Sequence, residues 1–165
     1  MSGERRLLLS RLSYTILQPM HYMQDVDVPG STSCGVYRQP YSLKRPLSFV
    51  DLHDVGEVAA AVLADPQHHA AATYELCGAD TLTGHEVAEI MAGIAGSEVS
   101  AQEVAASEVV SRLKDAADYT IDGMLRLFMH YDRYGITGNP NVLRWLLGRE
   151  PTSFSDYVRR ELRLR

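Results

Sequence analysis

Hydrophobic positions along this chain alternate between two periods, and the clearest switch comes at Leu47–Pro66. Leu47-Ser48-Phe49-Val50 is a short β-type run that passes through Asp51-Leu52-His53 into a stretch of helical period. There Val55, Val58, Ala59, Val62 and Leu63 share one face, so the spacing predicts a helix from Asp54 to the stop at Asp65-Pro66. Asp54 followed three positions later by Glu57 has capping-box spacing, with Asp in place of Ser or Thr. Gly56 and Ala59–Ala61 leave that helix slim enough to lie close on a sheet.

The flanking pattern extends the alternation. Residues 4–12 read as the last turns of a helix with Leu8, Leu9 and Leu12 on one side, followed by a strand at Tyr14–Gln18 that Pro19 ends. Residues 24–46, with Pro29-Gly30, Ser31-Thr32-Ser33, Gly35, Pro40 and Pro46, read as a long surface loop holding one short strand at Val36-Tyr37. Thr73–Gly78 alternates as a second strand. Thr83 and Glu86 form a capping box before Val87, Ile90, Met91 and Ile94, and Gly96 closes that helix. Glu98–Val104 has the look of a short edge strand, and Ser107 is placed to cap a helix through Leu113.

A longer helix carries Ile121, Met124, Leu125, Phe128 and Met129 to Gly135. Asn141 is placed to cap a short one with Val142, Leu143, Trp145 and Leu146, and residues 152–156 open the last, with Tyr157, Val158 and Leu162 inward. Two or three strands against about seven helical segments give an α/β class, with too few strands for a free-standing parallel sheet. All 165 residues are read as one domain. Within it, 12–23 and 47–96 supply a sheet layer, 24–46 the long loop, and 97–165 a mostly helical lobe.

Charge and composition narrow the partners. A net charge of −5 and a pI near 5.6 argue against nucleic acid or an anionic membrane surface. No apolar run reaches a membrane span of about 20 residues, and the three leucines after Arg5-Arg6 are too few for a signal-peptide core of ~7–15. Cys34 and Cys77 form no metal or redox spacing and read as free thiols of a reducing cytoplasm. Of sixteen basic side chains two are lysines, Lys44 and Lys114, and neither has a tyrosine four positions before it. His68-His69 cannot face one metal from a helix and reads as a solvated connector; His53 between Asp51 and Asp54 belongs to a turn and cap. Arg159, Arg160, Arg163 and Arg165 form a basic tail that suits the negative end of a helix dipole.

Four stretches in order resemble the NmrA-like group of atypical short-chain dehydrogenases/reductases: Leu12–Pro19 (LSYTILQP), Phe49–Val55 (FVDLHDV), Tyr74–Gly78 with Leu82-Thr83, and Leu147–Phe154 (LGREPTSF). The resemblance implies a partial Rossmann-type fold with a helical substrate lobe. It implies that the chain begins inside the helix before the family's sixth strand, without the N-terminal unit whose glycine-rich turn meets a dinucleotide diphosphate. The only G-x-x-G spacings, Gly93…Gly96 and Gly135…Gly138, do not follow a strand and open a helix. NAD(P) binding is therefore expected only if a separate N-terminal half is supplied.

The resemblance places Pro19, Met20 and His21 beside the cofactor and Tyr22 and Met23 beside the substrate, with Tyr131 and Tyr134 as further substrate contacts from the helical lobe. His21 has the chemistry to exchange a proton near neutral pH, and Tyr22 to hydrogen-bond a carbonyl; no catalytic residue is assigned and no metal is expected. Helical spacing alone reads Met124, Phe128 and Met129 as core. Three readings stand: the substrate-binding portion of an NAD(P)H-dependent oxidoreductase-like protein, a non-enzymatic binding or regulatory module, and an inactive shortened chain that homodimerises. A small-molecule substrate fits the first, and a second copy or a separate N-terminal half is the expected partner because the Tyr14–Gln18 strand leaves an open flank.

Overall fold

The computed structural model describes residues 3–113 and 116–164, so Lys114 and Arg165 lie outside the described residues. In chain order the elements are α1 (Gly3–Leu8), β1 (Thr15–Pro19), β2 (His21–Tyr22), α2 (Val28–Cys34), β3 (Val36–Gln39), β4 (Leu47–Val50) and α3 (Leu52–Ala64). They continue with β5 (Ala72–Leu76), β6 (Thr81–Leu82), α4 (Gly84–Ala95), β7 (Ser100–Glu103), α5 (Ala106–Val110), α6 (Asp118–Tyr134), α7 (Asn141–Leu147) and α8 (Phe154–Glu161). The mixed α/β class holds, but the described residues carry seven strands rather than the two or three expected, because runs of two to four residues pair across long sequence distances: parallel β1-β5, β2-β4-β6 with β2 parallel and β6 antiparallel to β4, and parallel β3-β7.

β4 is the divider. All four of its residues are buried, with Leu47 and Phe49 turned to one core and Val50 to the other, as expected for a strand covered on both faces. The larger core joins Phe49 to Met23, Tyr41, Met91, Phe128, Tyr131 and Phe154; the smaller joins Val50 to Val58, Val62, Leu76 and Leu143.

Several local expectations are corrected. The strand expected at Val36-Tyr37 is present as β3, but the rest of residues 24–46 is not all loop: the end of a 3₁₀ turn and α2 lie there, because Asp27 caps α2 through the Gly30 N–H, Pro29 suits its first turn, and Gly35 ends it in the left-handed region at φ +71°. The helix after β4 begins at Leu52, not Asp54, with Asp51 as its cap through the His53 N–H. Asp54 is buried instead and serves the far end of the chain: it accepts from the Thr152 N–H at 2.7 Å and meets Arg149 at 2.8 Å, which also reaches Glu57. Leu63 and Met129, read as part of apolar faces, are exposed, and so is Trp145 on α7. α5 is shorter than expected and begins after Ala105, and α7 follows Pro140, with the Asn139 side chain rather than Asn141 accepting at its start.

The capping box at Thr83/Glu86 is formed as read: each side chain accepts from the other's backbone N–H. Thr83→Ala is expected to lower unfolding free energy by about 1 kcal/mol, with Thr83→Ser near neutral, in urea denaturation.

Candidate functional site

β1 and β2 are one run of chain kinked at Met20. The Met20 N–H still donates to Leu76 (3.0 Å) beside β1's partner β5, after which the chain changes partner and β2 pairs with β4. The kink turns Pro19, Met20, His21 and Tyr22 along the wall of a cavity of about 580 Å³. The residues just past the C-terminal ends of β3 and β7, Pro40, Tyr41 and Val104, line it too. A crevice at the carboxyl ends of parallel strands is where open α/β sheets bind ligands. α6 closes the opposite side with Met124, Leu127, Phe128 and Tyr131, spaced i, i+3, i+4 and i+7 on one face.

His21 stands at the centre of the aromatic wall. Its ring lies edge-on to Phe49, Tyr131 and Tyr41, with centroids 5.1, 5.4 and 6.1 Å away. Its Nε2 is 3.3 Å from the Tyr41 hydroxyl, and its Nδ1 is 4.0 Å from the Asp25 carboxylate. Burial pulls its pKa down to about 4, so the imidazole is neutral at physiological pH. Burial, and after it the negative charge of Asp25 and neighbouring phenols, pushes Tyr37, Tyr41 and Tyr131 upward. These hydroxyls are donors, not bases. Gln39 orients the wall: its Oε1 accepts from Tyr37 at 2.9 Å while its Nε2 donates to the Tyr41 and Ser42 carbonyls at 3.2 and 3.0 Å.

The cavity therefore brings together Pro19, Met20, His21, Tyr22 and Tyr131 of the expected site. It does not include Met23, which the 3₁₀ turn drives fully into the core, nor Tyr134, which is exposed at the end of α6 against His130 and Arg133. Met124 and Phe128, read as plain core, serve both core and cavity. Sequence reasoning missed Asp25, Tyr37, Gln39 and Tyr41. The i, i+2, i+4 spacing of the last three was a legible strand-face signal, obscured by the prolines around it.

The NmrA-like family profile matches residues 8–158. This chain belongs to the NmrA-like family. Among curated relatives it is similar to agroclavine dehydrogenase of Claviceps fusiformis, 26% identical over an alignment of 156 residues, with 89% of this chain and 53% of that protein covered. Among solved structures it resembles the NADPH-dependent quinone oxidoreductase of Escherichia coli (TM-score 0.80, 21% identity, 96% of this chain and 58% of that one). It also resembles the triphenylmethane reductase of Citrobacter sp. (TM-score 0.77, 20% identity, 98% and 57%). The chain spans about half the length of these relatives, and the structural likenesses establish its fold alone.

A dinucleotide diphosphate needs free backbone N–H groups at a helix start. Among the described residues side chains already take first-turn N–H groups of α3, α4 and α8, whereas α6 starts with no side-chain acceptor. Asp51 and Gln24 accept from the first N–H groups of α3, Thr83 from α4, and Asp80 (2.6 Å) and Ser153 from α8, while Asp118 places a carboxylate in the first turn of α6. No three-or-more cluster of metal-ligating side chains occurs among the described residues, and no helix there is long and apolar enough to cross a membrane.

Proposed function

We propose that this NmrA-like chain is the substrate-binding portion of an NAD(P)H-dependent oxidoreductase-like protein. The observation that carries the reading is the aromatic cavity at the carboxyl ends of the parallel strands, walled by α6. Its neutral His21 and protonated tyrosines suit an apolar, ring-bearing substrate held by a few hydrogen bonds. The residues described do not fit a nicotinamide dinucleotide by themselves, because the starts of α3, α4 and α8 are filled by carboxylate and hydroxyl oxygens and the uncapped start of α6 sets the Asp118 carboxylate where a phosphate would lie. The cofactor cradle is supplied from outside these residues, docking on the flank of β1 that has no neighbouring strand among the described residues.

Calorimetric titration of the purified chain with NADPH is expected to give no micromolar binding. A micromolar affinity would overturn the division of labour. Light scattering is expected to show association rather than a clean monomer.

A binding or regulatory module without chemistry of its own is the second reading. Reduction of any aromatic acceptor by NADPH, once the cradle-bearing partner is added, would exclude it.

A further inference from the structure

Three buried tyrosines line the cavity, and two of their hydroxyls are already engaged by the protein. Tyr37 donates to Gln39 Oε1 at 2.9 Å, an oxygen fixed as acceptor because Gln39 Nε2 donates to the Tyr41 and Ser42 carbonyls. The Tyr41 hydroxyl meets His21 Nε2 at 3.3 Å.

Tyr131 differs from both. The residue is only 5% exposed, yet its hydroxyl has no hydrogen-bond partner among the described residues. Nor is it sealed in the packing: α6 presents Tyr131 to the cavity on the same face as Met124, Leu127 and Phe128. Burial and, after it, the charge of Asp25 push its pKa up, so the hydroxyl keeps its proton and stands as a donor. Asp25 itself is at the mouth with its side chain 62% exposed, so water serves that carboxylate. A donor enclosed by protein and left unmatched costs more than a satisfied hydrogen bond gains. A ligand oxygen that accepts answers it; a ligand without an acceptor displaces water and leaves the proton idle.

Resting on the reading of this cavity as the substrate site, we propose that Tyr131 is its recognition donor and that the ligand is an aromatic carbonyl compound, whose oxygen accepts from the Tyr131 hydroxyl while Met20, Met124 and Phe128 cover its ring.

Methyl-labelled methionine gives a local readout by NMR, with Met20 and Met124 lining the cavity and Met91 buried in the core as a reporter of the fold. Two probes of the same shape are titrated into the full chain: acetophenone, and α-methylstyrene, in which a methylene group replaces the carbonyl oxygen. Tyr131→Phe removes the hydroxyl and keeps the ring contacts with His21 and Tyr41. It is expected to weaken acetophenone about fivefold and to leave α-methylstyrene and the Met91 resonance unchanged. Comparing each probe with itself across the two proteins cancels their difference in hydrophobicity. Tyr41→Phe, which removes a hydroxyl already engaged, should leave acetophenone within about twofold of the parent. An acetophenone loss no larger than that of α-methylstyrene in Tyr131→Phe, or as large in Tyr41→Phe, overturns the donor assignment and leaves the cavity reading standing. Shifts at neither Met20 nor Met124 with either probe overturn both.

Discussion

Phe154→Ala is expected to lower the unfolding free energy by about 3–5 kcal/mol, the range for deleting a large aromatic from a packed core. Phe154 is fully buried, its ring 5.3 Å from Phe49 on β4 and 5.9 Å from Tyr157. Its N–H is also fixed, donating to Asp80 at 2.6 Å, so the backbone cannot slide inward to fill the hole. The cavity left behind adjoins Phe49, which in turn packs on His21, so the loss reaches the candidate site as well as the core. Phe154→Leu keeps most of the volume and should cost well under half as much. Urea denaturation at neutral pH checks both; an Ala variant within about 1 kcal/mol of the parent would mean that β4 and α8 repack around the gap.

Acid is expected to destabilise the fold through His21. The free imidazole has a pKa of 6.5, and burial lowers it to about 4 in the folded chain. Between those values the unfolded chain binds a proton that the folded chain refuses, so stability is complete above pH 6.5 and falls as the pH drops toward 4. Each tenfold loss of proton affinity on folding corresponds to about 1.4 kcal/mol, so the total loss is about 3 kcal/mol. Asp51, where burial is outweighed by bonds from His53, Gln24 and Arg160, has a pKa below its usual 3.8, so its contribution is lost only at lower pH still. Urea midpoints measured from pH 7 to 4 should therefore slope steeply in the parent. His21→Gln, which can still bond the Tyr41 hydroxyl but does not titrate, should flatten them. A parent curve level from pH 7 to 5 would place the imidazole in a wetter setting than the ring contacts describe.

The two arguments meet at β4. Phe49 touches Phe154 on one side and His21 on the other, so one strand residue couples the anchoring of α8 to the back wall of the cavity. A change that loosens α8 is for that reason expected to relax the site without touching a lining residue.

Features encoded within a few residues were legible from the chain's letters alone. The β4-to-α3 switch of period, the Thr83/Glu86 box, the glycine stop at Gly96 and the apolar stripe of α6 all rest on contacts no further than one or two helical turns. The order of four short motifs was enough to point to the NmrA-like family, which the match over residues 8–158 bears out.

Long-range packing settled the rest, because the deciding partners are far apart along the chain. Asp54 has the spacing of a helix cap, yet it is taken by Thr152 and Arg149, 98 and 95 residues away, and Asp51 caps in its place. Met23 and His21 are two apart in one apolar segment, but a 3₁₀ turn sends the first into the core while the kink at Met20 leaves the second on the cavity wall. Asp25 is an ordinary acidic residue in a polar stretch until the fold sets it beside His21 among the residues of β3, α5 and α6 that line the cavity. Local pattern fixes which face of an element is apolar; which partner a polar group meets depends on every element that packs around it.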